Sequence, residues 1–402
     1  MTPARHVDRA GCWAAAALGC SIPISVALDN VLIAVCLAAW LAGGSWREKL
    51  RILRGNPVAH AALALFALLA AGLAWGVRDP GDGILYLGKY DDLLFVAPLL
   101  CLLRDATVRS WAIRAFAASL GIVLLISFTI KAGLLPPGRW LLGNPADPVA
   151  FKHYLTHNVL MSYGAFLFAE LALAARTTRG RVLLAAASVL AAINVLFMVP
   201  GRTGYLVLGV LALYFGYRLR GRSGLALGAA AVVAVAFTLA LVPGPFQQRL
   251  QALASEYRAW QPGQHEVVTS TGLRLEFYRN SLAIIRDHPV FGVGTGGFPR
   301  AYAERARGTG VAESRNPHNE YLLITVQVGI AGLAALLWLF CVQWRAAPRL
   351  ASPLETHLAR GLVLTIAVGC LFNSLLLDHT EGLLYAWLTS VLYAGLQSQR
   401  DG

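Results

Sequence analysis

Two residues join reactive chemistry to a position at the edge of an apolar run: Arg202, in VPGRTGYLVL, and His318, in RNPHNEYLLITVQVGIAG. Pro200 and Gly201 interrupt one apolar stretch and the next resumes at once, so the Arg202 guanidinium is expected at an interface or in a cavity. There it can act as an anion clamp, because its planar fork matches phosphate and it cannot lose its charge. The plainer alternative is an interfacial arginine reaching for lipid headgroups. Pro317 fixes the approach to the run after His318, and Asn316 or Asn319 can cap the helix that follows. The imidazole then stands at a helix amino end, whose positive dipole favours a neutral ring able to accept a proton. A structural histidine in a turn is the competing reading.

Further cations come from TGLRLEFYRNS, which carries Arg274 and Arg279. Five residues apart on a helix, they point about 140° from each other, so one of them faces a given site. Arg274 stands at the helix start beside Thr271 and Gly272, where backbone amides can also meet an anion. Arg279 shares its face with Arg286 and reads as part of a solvated basic surface. Asp378, in LLLDHTEG, has the depth to pair with an arginine or orient His318, or is an ordinary loop acid. Gly292, Gly294 and Gly297 have GxGxxG spacing, but no strand precedes them and a tight turn is expected instead. His153 and His157 lack a third zinc ligand on their face, since Glu170 is more than three turns away. The six cysteines all lie in apolar stretches, the closest pair eight residues apart, so neither a disulfide framework nor a metal knuckle is indicated. No P-loop is present, and no metal or cofactor is expected.

The elements that must hold these residues are membrane spans. Of 402 residues, 57% are hydrophobic and 14% charged, about half the usual charged share. That excludes a water-soluble chain, and disorder and nucleic-acid binding with it. The net charge of +13 falls in short clusters between apolar segments. Twelve runs recur, at 11–28, 30–45, 57–76, 84–103, 110–131, 153–175, 182–200, 203–219, 223–242, 320–344, 358–377 and 382–397. The basic, apolar amino-terminal segment reads as an uncleaved first span. With that end in the cytoplasm, nineteen Lys and Arg fall inside and six in the short outer loops, so both termini are expected to be cytoplasmic. The chain therefore reads as an all-α polytopic membrane protein with about 12 transmembrane helices. Nine spans fill residues 1–242, a large outer loop takes 243–319, and three spans with a short tail fill 320–402. A 77-residue outer segment is too long for a connector. Three short helices are expected in it: PFQQRLQALASEYRAW, lying along the membrane surface on its Phe246, Leu250, Leu253, Tyr257 and Trp260 face, then LRLEFYRNSLAIIRDH and FPRAYAERARG.

With these residues in place the chain resembles the bacterial O-antigen ligases, which share a domain with O-antigen polymerases. Arg202 to Leu206 fits the family's Arg-x3-Leu, and His318-Asn319 with Gly329 fits its His-Asn-x9-Gly. Gly332 stands where the family usually has Thr. TGLRLEFYRNSLAIIRDHPVFGVGTGGF is similar to the family's loop pattern. The resemblance implies transfer of a preassembled glycan from an undecaprenyl pyrophosphate-linked donor to a lipid A-core acceptor, at the periplasmic face of the inner membrane. It makes His318 the base for the acceptor hydroxyl and sets Arg202 and Arg274 on the pyrophosphate, with Arg279, Asn319 and Asp378 completing the substrate-binding positions. A polymerase using the same donor, or a transporter of lipid-linked glycan, are the alternatives.

Overall fold

A computed structural model describes residues 3–76, 80–136, 138, 140–260, 269–307 and 313–396. Its elements are helical; the extended feature among the described residues is an isolated bridge between Asn144 and Asp147. Before the long outer segment run α1 (Pro3–Ser21), α2 (Val26–Ala42), α3 (Trp46–Gly55), α4 (Pro57–Ala71), α5 (Pro80–Gly88), α6 (Asp92–Leu102), α7 (Ala106–Lys131), α8 (Tyr154–Ala174), α9 (Thr178–Ile193) and α10 (Arg202–Leu241). Among the described residues, five helical stretches are long and apolar enough to cross a membrane: Pro57–Ala74, Ala106–Lys131, Thr178–Met198, Arg202–Leu241 and Glu320–Arg349. A sixth arises if α2 and α3, bent by 113°, count as one span.

Three of the twelve apolar runs take a form that the hydropathy pattern alone does not give. The run at 84–103 is divided by a turn at Lys89–Asp91 into α5 and α6. The runs at 203–219 and 223–242 form the two arms of α10, which fold back at Arg220 and Gly221, where Gly221 has φ 58. The arms meet backbone to backbone at Gly216 and Gly224. The segment after α10 contains α11 (Pro245–Ala259), α12 (Ser270–Asp287) and α13 (Phe298–Ala306). The chain then continues with α14 (Glu320–Ala346), α15 (Pro353–Gly369) and α16 (His379–Tyr393).

The core lies where α4, α6, α14 and α16 meet, with the fully buried Trp387 donating to the Ala15 carbonyl at 2.7 Å. Through this core α14 is broken: Val328 and Gly329 leave helical geometry, Gly329 at φ 69. A break in an apolar interior frees carbonyls and amides that each cost several kcal/mol if unpaired. The glycine-rich segment 289–298 supplies the partners. Val293 and Gly294 donate to the carbonyls of Val326 and Gln327, both at 2.8 Å, and the Ile330 amide donates to the Pro289 carbonyl at 2.9 Å. Gly292, Gly294 and Gly296 all have positive φ, so the segment is the tight turn expected there, with Gly296 in place of Gly297 as the third left-handed glycine. The other side of the turn reaches α4, where the Thr295 amide donates to the Gly72 carbonyl at 3.1 Å.

Gly329→Ala should therefore destabilise the whole protein. A Cβ there would lie 1.9 Å from the Val290 carbonyl oxygen, on a backbone at φ 69 that L side chains rarely adopt. The strained backbone alone costs about 1–3 kcal/mol. Thermal unfolding followed by intrinsic tryptophan fluorescence should show a clearly lowered midpoint; an unchanged midpoint would mean that α14 closes its break without loss.

Candidate active site

Arg202 is the first residue of α10, immediately after the extended Gly201. The approach to it is pinned from α8: Asn158 Nδ2 donates to the Val199 carbonyl at 3.3 Å and Ser162 Oγ to the Gly204 carbonyl at 3.1 Å. On the same helix, His157 Nε2 lies 2.9 Å from Asn194 Oδ1 and Glu170 pairs with Arg218 at 3.2 Å, which accounts for both as structural groups.

The Arg202 guanidinium spreads across the first turn of α12, with Nη1 donating to Thr271 Oγ1 at 3.0 Å and Nη2 to Ser270 Oγ at 3.2 Å. Arg274 lies one turn further along α12, and Arg249 comes in from α11. All three arginines line a cavity of about 350 Å³ whose remaining wall is apolar, built from side chains such as Tyr205, Leu206, Phe246, Leu250, Leu253 and Leu275. They also line a small recess of about 60 Å³ beside it, with Tyr154 and Asn158. Three positive charges at the margin of a hydrocarbon-lined space suit a ligand with an anionic head and an apolar tail.

The amides at the start of α12 are already engaged. Thr271 N donates to Glu256 Oε2 at 3.0 Å, and Gly272 N to its capping Thr269 Oγ1 at 3.1 Å. The anion cradle expected there from the sequence is therefore filled by the chain itself.

His318 has φ 53, and it is the non-glycine residue in the left-handed region among those described. Such a backbone persists only where its surroundings impose it, and it concentrates at functional sites. Here Asn316 Oδ1 accepts the His318 amide at 2.8 Å and also the Ser374 hydroxyl at 2.7 Å, while the Tyr278 hydroxyl has the Leu371 carbonyl at 3.1 Å and the His318 carbonyl at 3.4 Å as acceptors. The ring packs on Phe277, centroids 6.0 Å apart. Burial first, and the positive charge of Arg274 second, push its pKa below the ordinary 6.5. The neutral ring expected from the sequence thus rests on desolvation and Arg274, where the helix dipole was the predicted cause. Tyr278 joins the two parts of the site, since it also lines the cavity.

The remaining predicted positions fall differently. Asn319 caps α14, its Oδ1 accepting from Leu322 N at 3.0 Å and its Nδ2 donating to the Leu371 carbonyl at 2.9 Å. Both ends of its amide hold the backbone that carries His318. Arg279 is half exposed and pairs with Glu276 at 3.4 Å, away from the side chains lining the cavity. Asp378 stands near Lys89, Glu320 and Glu381; burial raises its pKa against the opposing charge of Lys89. Arg249, Glu256 and Tyr278 were not singled out by sequence. Helical spacing held a signal for Tyr278, which lies four residues after Arg274 on the same face of α12.

Residues 186–337 match the family model described as O-antigen ligase, a span that contains Arg202, Arg249, Arg274 and His318. No curated protein sequence matches the chain significantly. The domain indicates O-antigen ligase or related polymerase activity, and with the long apolar helices it marks a multi-pass membrane protein.

Proposed function

Given that the chain carries the domain of the O-antigen ligase/polymerase family, we propose that it is a glycosyltransferase moving a preassembled O-antigen polysaccharide from undecaprenyl pyrophosphate to a sugar hydroxyl of lipid A-core. The site faces the periplasm, with about twelve spans, both termini cytoplasmic, and residues 243–319 forming the outer segment. Arg202, Arg249 and Arg274 hold the pyrophosphate, and the apolar cavity takes the first part of the prenyl chain. His318 accepts the proton of the acceptor hydroxyl as its oxygen attacks the anomeric carbon. The bond from that carbon to the pyrophosphate oxygen breaks, and its electron pair leaves on the pyrophosphate, whose charge the guanidiniums take up. A single in-line displacement inverts the anomeric centre.

The observation that supports this most strongly is the meeting of three guanidiniums at an apolar cavity, with Arg274 also acting on the His318 ring. The charges gather at one end of the helices, whereas transporters keep them at the membrane midplane. Purified protein given carrier-linked glycan and lipid A-core should yield core-linked polysaccharide. Lengthened carrier-linked chains without any core-linked product would assign the polymerase reaction instead.

The pH dependence follows from the same contacts. Transfer needs the neutral ring, so kcat/KM should fall as pH drops through the His318 pKa, which lies below 6.5. Removing the Arg274 charge makes the imidazolium easier to form and raises that pKa. The Arg274→Ala profile should lose its acidic side at a higher pH than wild type, on top of a lower maximum; an unmoved acidic limb would separate Arg274 from the base.

A further inference from the structure

The anion-binding corner of the site is occupied from within the chain. Glu256, half-buried on α11, reaches the first turn of α12, where its Oε2 accepts the Thr271 amide at 3.0 Å. The hydroxyl of the same Thr271 accepts from Arg202 at 3.0 Å. Hydrogen bonding to Thr271 first, with Arg202 and Arg249 adding to it, holds the Glu256 carboxyl below its usual range, so it is ionised. A carboxylate at a helix-terminal amide, flanked by guanidiniums, makes the contacts that a phosphate oxygen makes.

We propose that Glu256 is an internal competitor for the pyrophosphate subsite: it sets the affinity for the lipid carrier and, by returning after transfer, helps displace the pyrophosphate product. This rests on the reading of Arg202 and Arg274 as the donor site. The need for such a group follows from the chemistry. A site that stabilises the departing pyrophosphate binds the free product more tightly than the donor, because the product carries the charge that develops in the reaction. A tethered carboxylate acts at high effective concentration and offsets that hold without entering the reaction. The singly charged carboxylate yields to a pyrophosphate, which offers more negative charge and more acceptor oxygens. Its displacement is also coupled to the cavity, because Phe246, Leu250 and Leu253 of the same helix form part of the wall.

Binding of undecaprenyl pyrophosphate to the full-length protein in detergent, by calorimetry, tests this together with inhibition of transfer by the same lipid. Glu256→Gln keeps an oxygen for the Thr271 amide and removes the charge. It should bind the lipid about tenfold more tightly and be inhibited at correspondingly lower concentration. Glu256→Ala should change affinity in the same direction, which guards against an effect peculiar to glutamine. Unchanged or weaker binding in both variants, with Arg202→Ala losing affinity, overturns the competitor role alone. Full affinity in Arg202→Ala overturns the donor site, and this proposal falls with it.

Discussion

Replacing His318 by alanine should lower glycan transfer by about 10²- to 10⁴-fold, the range for loss of a positioned general base, while binding of the undecaprenyl pyrophosphate carrier stays close to wild type. The separation arises because the ring contributes nothing to the fork that Arg202 lays across Ser270 and Thr271. Alanine also has to adopt the backbone at φ 53, which costs about 1–2 kcal/mol for an ordinary L residue. His318→Asn controls for this, since asparagine tolerates the left-handed region and has no group that accepts a proton at neutral pH. Both variants should be equally slow. Recovery of transfer in His318→Asn would mean that position 318 serves the shape of the turn, with the proton going elsewhere.

What the sequence discloses about this site follows the range of the interactions involved. Arg202, His318 and the cap at Asn319 depend on a proline or glycine break beside an apolar run, and such breaks are local. The same holds for the helices at α11, α12 and α13, whose apolar spacing is complete within each segment. The division of the run at 84–103 escaped hydropathy because Leu, Ile and Phe on both sides of Lys89–Asp91 read as one stretch. The broken α14 is further out of reach: Gly329 marks it, but what makes a break tolerable is the turn at 291–298, some thirty residues away, giving its amides to Val326 and Gln327. The break itself also accounts for Gly332, since a Cβ there would come within 2.3 Å of Cγ2 of Val328 in the same helix. Arg249 and Glu256 went unread for a related reason. An amphipathic helix gives its apolar face but not its partner, and the face expected to rest on the membrane surface carries Phe246, Leu250 and Leu253 into the cavity wall.

The second large effect is expected at Arg202. Arg202→Ala should weaken carrier binding and slow transfer together, with a loss in rate of about 10²- to 10³-fold, as when one preorganised donor to a developing oxyanion is removed. Arg249 and Arg274 remain in the cavity and limit the damage, so the variant should keep more activity than one lacking the base. Arg202→Lys sharpens the argument. An ammonium restores the charge but offers a point donor, which cannot reach Ser270 Oγ and Thr271 Oγ1 at once as the planar fork does. If geometry matters, lysine should recover most of the carrier affinity, because binding follows charge, and little of kcat, because the transition state needs the oriented fork. Steady-state kinetics of both variants, with KM and kcat resolved separately, decides between charge and orientation: full kcat in Arg202→Lys would reduce Arg202 to a source of positive potential and leave the leaving group to Arg249 and Arg274.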